Sequence, residues 1–213
     1  MRADDHDPEL VRAWLTARSA ARGLPAPIPD RGGWRVDTGS KDEICRWVFA
    51  DAKEGLVELG RALGEPGYLI KLCGAREALR AALPDRWKLL PPAYFMSAAT
   101  PLAPRPLPEG YALHLICGGG VAEARVSSLA QGRIVAGGFA TEAAGVFIFD
   151  RIHTSAEHRR KGLGAAIVTA LVETKFSAAA PVVLVATEDG RALYSRLGAW
   201  SVSPYSTAAV PPA

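Results

Sequence analysis

The chain has 213 residues, 49% of them hydrophobic, and a formal charge of +3 with its basic residues spread rather than blocked. Such a length and apolar content suit one large or two small globular domains with a substantial core, and the mild charge gives nucleic-acid binding little support. No apolar run approaches the ~20 residues of a membrane span, and the polar opening MRADDHDPE is unlike a signal peptide, so a cytoplasmic protein away from membranes is expected.

Asp7 followed by Pro8 and Glu9 reads as a helix start, and Leu10, Val11, Trp14 and Leu15 then recur on one face. GLPAPIPDRGGW reads as a loop that ends this helix. From Lys41 onward RWVFA reads as a strand, AKEGLVELGRAL as a helix, GYLIKLCG as a strand and REALRAAL as a helix. WKLLPPAYFM reads as a strand interrupted by prolines. The proline-rich stretch TPLAPRPLPEG, residues 100–110, is the linker candidate. Beyond it, YALHLICG, EARVSSL, RIVAGGFAT and GVFIFDRIHT are four strand-like runs joined by short turns, which favours antiparallel neighbours. A helix over 163–176, the strand PVVLVAT, a short helix RALYSRLG and a final strand in WSVSPYSTAAV complete the chain.

Cys45, Cys73 and Cys117 are odd in number, far apart and outside any C-x-x-C spacing. Free thiols in a reducing compartment are expected. His6, His114, His153 and His158 show no ligand spacing with carboxylates, so no metal is expected.

Residues 151–164, RIHTSAEHRRKGLG, place a strand directly before a basic, glycine-punctuated turn that opens an apolar helix. A helix N-terminus presents unpaired N–H groups and a partial positive charge, which together suit a phosphate. Arg159, Arg160 and Lys161 add full charges, and Gly162 and Gly164 clear the approach. Plain strand-to-helix connections also use such turns. The dinucleotide pattern G-x-G-x-x-G fails because Ile167 follows, and no G-K-[ST] completes a P-loop.

Arg159-x-x-Gly162-x-Gly164 resembles the acyl-CoA signature R/Q-x-x-G-x-G/A of the GNAT acetyltransferase superfamily. PVVLVATEDGRALYSRLGAW is similar to that superfamily's next strand and helix, which end in a Tyr and a Leu-Gly-aromatic turn. The resemblance covers roughly residues 110–205. It implies an α/β (α+β) fold whose mixed, mostly antiparallel sheet is flanked by helices, and an N-acetyltransferase that uses acetyl-CoA and no metal. By resemblance, the turn Arg159, Arg160, Lys161, Gly162, Leu163, Gly164 and Ala165 holds the pyrophosphate of coenzyme A. Backbone groups of Ile152, His153 and Thr154 hold its pantetheine arm as an added strand would.

The resemblance makes Tyr194 the general acid for the departing thiolate; otherwise it packs as a helix residue beside Leu193 and Leu197. Where many relatives carry a Glu base, this chain has Ile148, and Asp150 lies two residues on, on the same strand face. Asp150 serves as base directly or through a water, or else pairs with Arg151. His153, Glu142 and Glu188 are weaker alternatives. The helical segment that shapes the acceptor pocket in usual members is missing between YALHLICG and EARVSSL, so the N-terminal half is expected to supply that wall. The expected division is 1–104, an α/β region readable as a degenerate acyltransferase-like half, and 105–213, the acyl-CoA-binding catalytic domain. The acceptor is a small-molecule amine or a peptide, and the chain acts as a monomer or homodimer. A non-catalytic acyl-CoA sensor is the alternative.

Overall fold

The computed structural model describes residues 7–98, 102–198 and 200–212. His6, the start of the proline-rich stretch at Thr100 and Pro101, and Ala199 of the Leu-Gly-aromatic turn lie outside the described residues. The first half runs α1 (Pro8–Ala20), β1 (Ile28–Asp30), β2 (Gly33–Asp37), β3 (Cys45–Phe49), α2 (Glu54–Ala62), β4 (Tyr68–Leu72), α3 (Arg76–Ala82), β5 (Lys88–Leu89) and β6 (Ala93–Ala98). The second runs β7 (Tyr111–Gly118), β8 (Val121–Ser128), β9 (Arg133–Ala143), β10 (Val146–Thr154), α4 (Leu163–Val172), β11 (Val182–Thr187), α5 (Glu188–Ser195) and β12 (Ser201–Ala209).

Among the described residues, twelve strands form one mixed sheet in the order β1-β2-β3-β4-β12-β6-β11-β10-β9-β8-β7, with β5 pairing β12 off this path. Only β3–β4 and β10–β11 pair in parallel, each across a helix, so the sheet is mostly antiparallel as expected. Two-residue turns close the β7–β8 and β9–β10 hairpins, and a four-residue turn closes β8–β9. Gly119 and Gly120 join β7 to β8 with positive φ at both positions, and Ala144-Gly145 does the same between β9 and β10.

Five helices flank the sheet among the described residues, with Leu56 and Leu59 of α2 and Leu79 of α3 packed on Phe49, Ile70 and Leu72 of the first half. α1, capped by the Asp7 carboxylate on Glu9 N–H with Pro8 in its first turn, lays Val11, Trp14 and Leu15 over Val48, Phe95, Ile148 and Val183. On the opposite face, α4 and α5 bury Phe147, Phe149, Leu163, Ile167 and Tyr194 in one cluster. The burial of Ile148 with α1 and of Phe147 and Phe149 with α4 is the two-residue alternation of a central strand.

The two halves repeat one order. A hairpin (β2–β3, β9–β10) is followed by a helix, a parallel strand, a second helix and a last strand. The last strands are exchanged: β6 pairs along the whole of β11, from Ala98↔Val182 to Ala93↔Thr187, while Ser206–Ala209 of β12 pairs with β4. β6, which precedes residue 104, therefore lies between β11 and β12 of the second half.

Two segments differ from the sequence reading. The loop expected over 23–34 contains the hairpin β1–β2, turned at Arg31 and Gly32 with positive φ. Its prolines hid it, but β1 is an edge strand, where the missing N–H of Pro29 costs no ladder bond. The helix expected to reach Phe176 stops at Val172, because the Glu142 carboxylate accepts the N–H groups of Phe176 and Ser177 at 2.9 and 3.2 Å. No described helix is long and apolar enough to cross a membrane.

Candidate active site

The β10–α4 turn has the backbone shape that suits an anion. Arg160 and Gly162 both have positive φ (62° and 85°), which folds the chain back so that α4 starts without a side-chain cap. Ala166 N–H is bonded to the Gly162 carbonyl, so the N–H groups of Leu163, Gly164 and Ala165 precede the first intrahelical bond and remain for a ligand. Arg159 is anchored by its Nε donating to the Thr154 carbonyl at 3.2 Å. A cavity of about 780 Å³ opens on this turn, lined by Ile152, His153, Thr154, Arg159, Arg160, Gly162, Leu163, Gly164 and Ala165. Lys161 does not line it. Arg105 and Arg196 do, and sequence reasoning passed over both.

The cavity continues along a split in the sheet. β10 and β11 are paired only at Phe147↔Val182 and Ile148↔Val183; beyond that the strands part, while β11 stays paired to β6. The parting coincides with a bulge in the β9–β10 register between Asp150 and His153, where Arg151 has φ 54°. Facing edges of β10 and β11 thus carry unpaired backbone groups, the requirement for an extended ligand added between them.

A second cavity, of about 290 Å³, adjoins the first: Ile152, Thr187, Gly190 and Leu193 line both. Tyr194 lies in its wall, stacked on Phe149 at a centroid distance of 6.0 Å and edge-on to Trp200 at 5.4 Å. Burial, with a smaller contribution from the Asp150 charge, pushes its phenol above the ordinary range, so it stays protonated at neutral pH.

Asp150 lines the same cavity but is already engaged. Arg22 donates Nε and Nη2 to its two oxygens, both at 2.7 Å, and Arg151 Nε adds a third contact at 3.1 Å. Burial alone would push the carboxyl up; the bonds and charge of Arg22, with Arg18 and Arg151 behind, more than reverse it and hold it below the ordinary carboxylate range. A carboxylate so held accepts protons weakly. This geometry suits Asp150 to positioning Arg22 and weighs against its taking the amine's proton. The other candidates for base stand elsewhere. His153 lines only the larger cavity, its Nδ1 3.0 Å from the Arg151 carbonyl. Glu142 holds the end of α4, and Glu188 pairs with Arg191. His158 is satisfied by Tyr111 and Gln131 at 2.9 and 3.2 Å.

The N-terminal half supplies one wall of the smaller cavity through Trp14, Arg18 and Arg22 of α1 and its following turn, with Lys71 of β4. Sequence reasoning missed these cations, although a signal was there. Arg18 and Arg22 fall three and seven residues after Leu15, on the apolar stripe of α1 and its continuation into the following turn, and Lys71 is the single charge between Ile70 and Leu72. Among the described residues no cluster of His, Cys, Asp or Glu is grouped to hold a metal.

Comparison with solved structures places this architecture. The chain is similar to a GCN5-related N-acetyltransferase from Kribbella flavida over 97% of its own length and 96% of that chain, with a TM-score of 0.64 at 14% identity. It is similar to a GCN5-related N-acetyltransferase-like protein from Streptococcus suis over 93% and 91%, TM-score 0.61 at 10% identity. A third, a GCN5-related N-acetyltransferase from Sphaerobacter thermophilus, is covered over 78% of its length by 85% of this chain, TM-score 0.57 at 13% identity. No protein-family model and no curated protein matches the chain.

Proposed function

From the fold of the GCN5-related N-acetyltransferases and two adjoining cavities, we propose that the chain transfers an acetyl group from acetyl-CoA to a small primary amine by direct attack within a ternary complex. The observation that carries this reading is the coincidence of an uncapped, arginine-flanked helix N-terminus with a parallel strand pair that parts immediately before it. Acetyl-CoA supplies the activated acyl group. The N–H groups of Leu163–Ala165 and the side chain of Arg159 hold the pyrophosphate, and the parted edge at Ile152–Thr154 aligns the arm so that its end meets Tyr194. Tyr194 then gives its proton to the departing sulfur, whose own basicity rises in the same desolvated setting. With Ile148 buried in the core and Asp150 engaged, the amine loses its proton to water, and the cavity's field of cations favours that loss by disfavouring the ammonium.

We also infer that residues 1–104 are a degenerate counterpart of 105–213. The counterpart of the anion turn is blocked: a Cβ on Gly55, in the first turn of α2, would lie 2.0 Å from the Arg31 carbonyl, so the β1–β2 hairpin sits on that helix start. The counterpart split is shut as well. β3 and β4 pair from Cys45↔Tyr68 to Phe49↔Leu72, leaving no room between them.

Calorimetry with coenzyme A and release of free thiol from acetyl-CoA over an amine panel test the proposal together. Gly162→Val puts a side chain at φ 85° in the turn and is expected to raise the Kd for coenzyme A about tenfold or more, with the thermal midpoint checked in parallel. Undiminished affinity in that variant sinks the assignment of the turn. The engagement of Asp150 favours one alternative, a sensor that binds coenzyme A without turnover; it predicts tight binding and no thiol release with any amine.

A further inference from the structure

We propose that the smaller cavity is an anion site, and that the acceptor is a small amine that also carries a carboxylate or phosphate group. The inference rests on the acyl-transfer reading for the word acceptor, but the anion site itself stands on the cavity's own groups.

Four cations face this space, Arg18, Arg22, Lys71 and Arg151, against the single carboxylate of Asp150. Two of them are occupied. Arg22 is committed to Asp150, and Arg151 is divided between Asp150 and the Phe139 ring, 4.0 Å from its centroid. Lys71 is not, and Arg18 is held only by a long ion pair. The nearest carboxylate atom to Arg18 is Asp150 Oδ1, 3.8 Å from Nε and beyond hydrogen-bond reach, and its guanidinium otherwise rests over Trp14. Lys71 makes no side-chain hydrogen bond or ion pair among the described residues, although burial and the charge of Arg18 push its amine down to about 8. Glu43 also reaches this region, but it is paired with Arg46.

Desolvated cations with free N–H donors are costly unless an anion meets them. Arg18 offers a planar fork and Lys71 a point charge, the pair of donors that grips a carboxylate or phosphate. The position adds the second half of the inference. An anion seated between Arg18 and Lys71 shares its cavity with Tyr194, so an amine on the same small molecule reaches the junction with the acyl channel. About 290 Å³ holds one such molecule and little more. Polyamines meet like charge on every side and are rejected by it.

The test uses matched pairs on the full chain: glycine and β-alanine against glycinamide and β-alaninamide, phosphoethanolamine against ethanolamine, and putrescine as a dication. Thiol release from acetyl-CoA is expected to show kcat/KM at least tenfold higher for the acidic member of a pair, and which acid prevails separates carboxylate from phosphate. Lys71→Met, and Lys71→Gln should the first fold poorly, are expected to raise KM for the acid about tenfold while the Kd for coenzyme A holds. Neutral or dicationic amines turned over as well as their acidic partners would overturn the proposal. If no amine is turned over, calorimetry of N-acetylglycine and inorganic phosphate decides: binding that is lost in Lys71→Met sustains the anion site while the transferase reading fails. No binding of either, with coenzyme A still bound, ends the anion site alone.

Discussion

Replacing Tyr194 with phenylalanine is expected to lower kcat by about 10²-fold or more while the Kd for coenzyme A and the thermal midpoint stay near those of the parent. The ring's packing survives the change, because the contacts with Phe149 and Trp200 are made by its faces and edge. What is lost is one hydroxyl, without a hydrogen-bond partner among the described residues, in the wall of the smaller cavity. Removing it leaves no buried partner stranded, so stability is spared. A proton donor needed only as the C–S bond breaks affects the transition state and not the ground state, hence the split between kcat and Kd. Steady-state kinetics beside calorimetry measures both. A variant with unchanged kcat would return Tyr194 to the role of a core residue beside Leu197.

Asp150→Asn is expected to act in the opposite manner, on stability first. The substitution removes the charge that holds Arg22, and it leaves four cations facing one another. Breaking a buried pair from one side costs about 3–5 kcal/mol, and the partial exposure of Arg22 argues for the lower figure. For a chain of this length that is a fall of about 6–12 °C in Tm. The pH dependence has a definite sign. The folded carboxyl is held below its ordinary value, so its contribution is fully present above the unfolded value of about 4 and is lost as pH falls through the folded one. The Tm gap between parent and variant should therefore be constant from pH 7 to about 5 and narrow below about 4. If Asp150 were instead the base, the variant would keep its Tm and lose kcat; paired melting and rate profiles tell the two apart.

Much of this was readable in advance, for identifiable reasons. The glycine turn before α4 and the Tyr194 helix announce themselves because backbone needs dictate residue type: positive φ at Gly162, and Leu193 lying 3.1 Å from where a Cβ on Gly164 would be, allow few alternatives. Period-two strands with short turns, such as Tyr111–Gly118 and Val121–Ser128, were equally plain. The cation pocket was not, because it is assembled from three distant segments. Arg18 and Lys71 are fifty-three residues apart by number, and only the seating of α1 over the sheet brings them together. The tie between Asp150 and Arg22 was hidden for the same reason, since the two are 128 residues apart. The strand exchange between β6 and β12 was invisible too, since local propensity says which segments are strands but not which edges they join.

That exchange limits what can be inherited separately. Because Ala93–Ala98 forms the full ladder along the far edge of Val182–Thr187, a gene fragment encoding only residues 105–213 would leave one of the two strands that frame the candidate site open to solvent. The first half cannot be discarded or replaced at will. A change in Ala93–Ala98 is felt directly by Val182–Thr187 in the neighbouring half through their shared ladder, so neither half can be varied independently of the other.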